Sequence, residues 1–147
     1  MTSHSEASSY TVISVMKPKS GLALVLTLLC VWAAAAAQAE RSVWDGVYSD
    51  DQAVRGQNSF GASCARCHDV ADFSGPSFLQ GWEASTVLDL FQLLQRTMPM
   101  DNPGSLRPQD YADIIGYFFR ANAIPAGKDD LDTDVERLKL IRITQKK

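Results

Sequence analysis

Apolar and polar positions change character near residue 40. Upstream lies an apolar run over residues 21–32, then five alanines at 33–37 and Gln38-Ala39-Glu40. Downstream, apolar residues recur at helical spacing in three stretches. Ser49-Asp50-Asp51-Gln52 is a capping-box pattern, S-x-x-Q, in which Gln52 is expected to reach back to the helix start, and it predicts a helix over about 50–63. Acidic residues occupy its first turn, where the helix dipole favours them. Ala53, Gly56 and Phe60 share one stripe of that helix. A mid-helix glycine costs about 1 kcal/mol against alanine, so a close helix crossing is expected at Gly56.

Residues 69–81 hold Gly75-Pro76 and Gly81 and read as a loop. Thr86-Val87-Leu88-Asp89 opens a second helix, with Asp89 placed to reach back to its start. Val87, Leu90, Phe91, Leu93 and Leu94 form its expected apolar side, and it ends near Thr97. Asn102-Pro103-Gly104-Ser105 is a turn. A third helix begins at Pro108, a good first helical position. Its face of Tyr111, Ile114, Ile115 and Phe118, broadened by Tyr117 and Phe119, should pack on the Gly56–Phe60 stripe. Asn122 and Pro125-Ala126-Gly127 end it. The tail over 128–147 is charged but carries Leu131, Val135, Leu138, Leu140, Ile141 and Ile143. It is expected to fold back on the domain and end in a short strand or extended arm.

The segment before residue 40 has the three parts of a secretory signal: Lys17 and Lys19, a short apolar stretch, and an Ala37-Gln38-Ala39 end. The expected organisation is a cleaved signal peptide at 1–39, one domain at 40–127 and the tail at 128–147. A retained anchor is the competing reading, because the 17 residues from 21 to 37 reach the lower limit for spanning a bilayer. Met16 is an alternative start. Export implies a periplasmic protein with no stable membrane insertion after cleavage; an anchored form would sit on the periplasmic side.

Charge and ligand inventory narrow the chemistry. The chain has 14 Lys+Arg and 17 Asp+Glu; without Lys17, Lys19 and Glu6, the part after residue 39 carries 12 and 16, a net of −4. That argues against a nucleic-acid partner, which needs a basic stripe. This part keeps one histidine (His68), two cysteines (Cys64, Cys67) and two methionines (Met98, Met100). Such a set cannot build a zinc site of thiolates and imidazoles without carboxylates.

Cys64-Ala65-Arg66-Cys67-His68 reads C-x-x-C-H, the attachment signature of a c-type haem. Two thiols at this spacing reach two vinyl groups on one porphyrin edge, and the histidine that follows becomes the proximal iron ligand. A thioredoxin-like C-x-x-C competes, but no strand–helix alternation surrounds it. A Cys64–Cys67 disulfide would close a very tight loop for little gain. The far face of the iron then needs a ligand. Met98 and Met100, in Thr97-Met98-Pro99-Met100, are the available thioethers, and the residues alone leave both open. Pro99 stiffens the backbone between them.

With this motif after an N-terminal helix, a downstream Met-Pro and a C-terminal aromatic helix, the chain resembles class I c-type cytochromes over residues 43–127. More narrowly, Gly46-Val47-Tyr48, Gln52-Ala53-Val54-Arg55-Gly56, Thr97-Met98-Pro99, Asn102-Pro103-Gly104-Ser105-Leu106 and Tyr111-Ala112-Asp113-Ile114-Ile115 are similar to bacterial cytochromes associated with quinoprotein dehydrogenases. The resemblance implies an all-α, small class I cytochrome c fold, with three to five helices around one covalent haem c. It implies that Met98, directly before proline, is the axial ligand, with Met100 the alternative. It implies that the Pro76 carbonyl meets the proximal imidazole and that Trp82, in an F-L-x-x-W element, lines the haem environment. Asp69 departs from the pattern, since glycine commonly follows the histidine.

The expected function is a one-electron carrier with no catalytic residues, not an enzyme. Its expected partners are redox proteins: a quinoprotein dehydrogenase as donor, a terminal oxidase or another cytochrome as acceptor. The alternative is an open or labile sixth site, as in a gas sensor or a peroxidase-like enzyme, with Arg96 or Tyr111 as the remaining distal candidates. A third reading is a subunit of a dehydrogenase complex with the same chemistry. Because three helices bury little alone, the porphyrin is expected to supply much of the apolar centre.

Overall fold

Three side-chain caps set where the long helices begin in the computed structural model, which describes residues 40–146. The signal-peptide, anchor and start-site readings fall outside the described residues. Ser49 Oγ accepts from Gln52 N at 3.0 Å and starts α1, Asp50–Ser63. Thr86 and Asp89 form a full capping box at the start of α3, Val87–Thr97. Arg107 and Asp110 pair at the start of α4, Pro108–Ala121. The bounds of these helices agree with the sequence pattern. The short α2, Pro76–Gly81, and α5, Val135–Lys139, complete five α-helices among the described residues. Strand content among the described residues is one parallel pair, β1 (Arg41–Ser42) with β2 (Ile141–Arg142), in register Arg41 to Ile141 and Ser42 to Arg142. The all-α expectation holds. Among the described residues no helix is long and apolar enough to cross a membrane.

The central contact is the crossing of α1 and α4, which meet at Gly56 and Asp113. A Cβ on Gly56 would lie 1.8 Å from the Asp113 carbonyl oxygen, so only glycine permits this approach. A second backbone contact joins Gly46 to Gly127, where a Cβ on Gly127 would meet Gly46 O at 2.0 Å. Gly127 N donates to Tyr48 O at 2.6 Å beside it.

Three local expectations change. Residues 69–81 are not a plain loop: a 3-10 turn at Val70–Phe73 precedes α2. Pro76 is the first residue of α2, where its missing N–H costs nothing, so the proline that signals a turn also starts a helix. On α3, Leu88 is buried and Leu93 is exposed. Gln52 does not reach back to cap α1. It is fully buried, donates to Asp113 Oδ1 and Leu131 O at 3.1 Å each, and accepts from Leu131 N at 2.6 Å.

Apolar side chains gather in two clusters. The larger joins Val43, Val47, Tyr48, Val87, Leu90, Phe91, Ile115 and Phe119 to Leu131, Leu138, Ile141 and Ile143 of the tail. The smaller is Phe60, Ile114 and Phe118, with Phe73 and Phe78 packed on it. The chain therefore has an apolar centre of its own, because the arms at both ends fill the side that three helices would leave bare.

Candidate functional site

The Cys64–His68 segment is shaped by the end of α1. Cys64 N and Ala65 N both donate to Phe60 O, at 2.8 and 3.0 Å. Cys67 N and His68 N then both donate to Cys64 O at 3.0 Å. Two bonds to one carbonyl curl the five residues into a tight turn, and the two cysteines form no disulfide. Burial pushes the Cys64 thiol above the ordinary cysteine range. Asp69 explains its own departure from the family pattern: it caps the next turn, accepting from Ala71 N at 2.9 Å.

Aromatic packing holds the segment beyond His68. The Phe73 ring meets the His68 ring edge-on at 5.3 Å and stacks on Phe118 at 4.5 Å, 7° from parallel. Asn122 clamps this arrangement. It donates to Phe73 O at 2.9 Å and Phe118 O at 2.8 Å, and accepts from Gly75 N at 2.9 Å. An Asp72 carboxylate oxygen lies 4.0 Å from His68 Nδ1.

The facing wall comes from the end of α3. Met98 caps that helix, its N–H bonded to Leu94 O at 2.8 Å. Its carbonyl accepts from the Tyr111 hydroxyl at 2.7 Å and from Gly104 N at 3.3 Å. Met98 is half-buried, whereas Met100 is 79% exposed. Arg66 and Asp101 pair at 3.3 Å on the surface and link the two loops. An exposed pair of this kind contributes about 0–1 kcal/mol.

These walls enclose a cavity of about 330 Å³. Cys64, Cys67, His68, Met98 and Met100 all line it, together with Phe60, Phe73, Leu93, Leu94, Leu106, Tyr111, Ile114 and Phe118. Its volume falls in the roughly 300–1,000 Å³ range of small-molecule sites. Two cysteines beside an imidazole, thioethers on the facing wall and an apolar lining suit a covalent porphyrin. Leu93, exposed on its helix, belongs to this lining. Pro76 and Trp82 are not among the lining residues: Pro76 opens α2, and Trp82 caps its end and packs on the larger core. A more open cleft of about 630 Å³ lies between Ser42, Trp44, Ala123 and Lys146. It holds no cysteine or histidine, and Trp44 Nε1 is already bonded to Thr144 O at 2.9 Å.

Sequence reasoning treated Tyr111 as a packed residue or a distal candidate and missed its bond to Met98. It also missed Phe73, Asn122 and the Gln52–Asp113 pair. Asp113 within the apolar run of α4 was the available signal, since a buried carboxylate needs partners.

Residues 51–118 match the family model described as cytochrome c oxidase, cbb3-type, subunit III. No curated protein and no solved structure matches the chain. With the cavity geometry, the match supports a c-type cytochrome domain over that stretch, a kind of domain that holds covalent haem c and its iron and serves electron transfer.

Proposed function

We propose that this protein is a periplasmic one-electron carrier with one haem c per chain, attached through Cys64 and Cys67 and ligated by His68 and Met98. The observation that carries the reading is the shared cavity, in which Cys64, Cys67, the His68 imidazole and the half-buried Met98 line one apolar space. When bound, haem iron supplies a ferric/ferrous couple, and an imidazole–thioether pair raises its potential. The protein's part is to bind, orient and exclude water. Phe60, Leu94, Ile114 and Phe118 keep the site apolar, and Phe73 fixes one side of the His68 ring.

Tyr111 weighs against an open-site enzyme or sensor. Its hydroxyl proton is already donated to the Met98 carbonyl. With His68 and Met98 both holding the iron, the group would keep no position for a substrate and would supply electron transfer alone. The net charge of −4 after residue 39 favours a partner with a basic or mainly apolar face. A quinoprotein dehydrogenase is the donor that the sequence resemblance suggests. A terminal oxidase or another cytochrome is the acceptor in this reading. Export rests on the Lys17–Ala39 pattern.

The test is a set of visible spectra of the protein made in a haem-maturing periplasm: oxidised, reduced, and reduced under carbon monoxide. Low-spin bands indifferent to carbon monoxide are expected. A high-spin spectrum that shifts with carbon monoxide would replace the carrier by the open-site reading. Mass spectrometry of the same sample reads haem stoichiometry, covalent attachment and the cleavage site.

A further inference from the structure

Tyr111 is 1% exposed and sits on the α4 face that lines the cavity. Its ring packs edge-on against Phe91, with centroids 6.2 Å apart. A phenylalanine would fill the same space. The hydroxyl is costly to bury unless it finds an acceptor, and the acceptor it finds is the backbone of Met98. That carbonyl lies at the C-terminal end of α3, where carbonyls lack partners within their own helix. Tyr111 from α4 and Gly104 from the following turn both bond to it, at 2.7 and 3.3 Å. A methionine side chain has three rotatable bonds and does not fix its own sulfur. Its position depends on how firmly the backbone beneath it is held. Met100, two residues on, has an equivalent thioether but is mostly exposed.

We propose that Tyr111 is a positioning residue for the sixth iron ligand: its buried hydroxyl pins the Met98 backbone, so that the Met98 thioether rather than that of Met100 stays at the iron. The inference rests on the Met98 ligation proposed above. It adds a residue from a different helix whose loss loosens the ligand without removing it.

The test compares holoprotein variants by imidazole binding to the ferric form, which requires the sixth ligand to leave, and by thermal melting. Tyr111→Phe is expected to bind imidazole about two- to tenfold more readily than wild type, the range set by one lost hydrogen bond. Phe91→Leu removes packing from the same ring and keeps the hydroxyl. It is expected to lower the melting temperature without a comparable gain in imidazole binding. If both variants gain imidazole affinity in proportion to lost stability, the role of Tyr111 is structural and the proposal is overturned. If Tyr111→Phe binds as wild type does while Met98→Ala is high-spin, the proposal fails and the ligation stands. If Met98→Ala keeps the wild-type low-spin spectrum, the ligation reading fails and takes the proposal with it. Should Tyr111→Phe not accumulate, proton NMR of the ferrous wild type decides. A resolved, slowly exchanging Tyr111 hydroxyl is expected, and one averaged with water would overturn the proposal.

Discussion

Gly56 and Asp113 touch through their backbones: the position of a Cβ on Gly56 lies 1.8 Å from the carbonyl oxygen of Asp113. No real Cβ occupies such a place, so any side chain at residue 56 must push α1 away from α4. The cavity spans both helices, with Phe60 and Cys64 at the end of one and Tyr111, Ile114 and Phe118 on the other. The crossing therefore sets the width of the site as well as the stability of the fold.

Gly56→Ala is expected to destabilise the holoprotein by at least about 1–3 kcal/mol, the usual cost of overpacking. Gly61→Ala, on the same helix with nothing within 4 Å of the new Cβ, is expected to be neutral or to stabilise by up to about 1 kcal/mol through helix propensity. Thermal melting of both variants checks this. Equal melting temperatures would mean that the crossing does not constrain residue 56.

Gln52 joins α1 to the C-terminal tail by two bonds to the Leu131 backbone and one to Asp113. Gln52→Met keeps the volume and leaves the buried Leu131 N–H and carbonyl unpaired, while Asp113 keeps its bonds to Arg55 and Gln109. A loss of about 2–4 kcal/mol is expected, larger than that of a single exposed bond. Limited proteolysis should show faster cleavage after residue 127, and an unchanged digestion pattern would count against the latch.

Asp130 accepts from Ser49 Oγ and pairs with Arg55, and these hold its carboxyl below the usual value of 3.8. Arg55 also holds Asp113 through Nε at 3.0 Å. A carboxylate with a lowered folded pKa adds stability above its unfolded pKa and loses it as pH falls through the folded value. The Asp130 side chain is 45% exposed, so solvent and salt screen much of this contribution. Asp130→Asn is expected to be less stable than wild type near pH 6, with the gap closing below about pH 3.8. Denaturant titrations at several pH values measure the gap, and a constant difference would refute the linkage.

Met98→Ala is expected to leave a high-spin haem that binds carbon monoxide, while Met100→Ala stays low-spin. The reverse pattern would swap the ligand. Cys67→Ser should yield haem held by a single thioether or lost, read by mass under denaturing conditions; unchanged double attachment would sink the reading of the motif.

Most of the helical frame was legible because its signals are local. Ser49, Thr86 and Pro108 mark helix starts through bonds or ring geometry within a few residues, and the structure places α1, α3 and α4 accordingly. Gly56 was legible as a crossing because a mid-helix glycine needs a reason. Residues 69–81 were misread because Gly75-Pro76 signals both a turn and a helix start. Leu88 was left off the apolar side of that helix because periodicity finds an apolar face but not everything that covers it. Leu88 meets the core, while Leu93 borders the cavity.

The chain by itself determined the ligand set of the candidate haem site and the all-α frame. Two thiols and an imidazole in five consecutive residues need no distant partner to be recognised, and helical spacing repeats over short range. Tertiary structure alone decided which groups surround that chemistry. Tyr111 reaches Met98 across 13 residues, Asn122 reaches Gly75 across 47, and Gln52 reaches Leu131 across 79. Such pairs leave no periodic trace, because a buried polar side chain takes whichever partner the folded backbone brings within bonding distance.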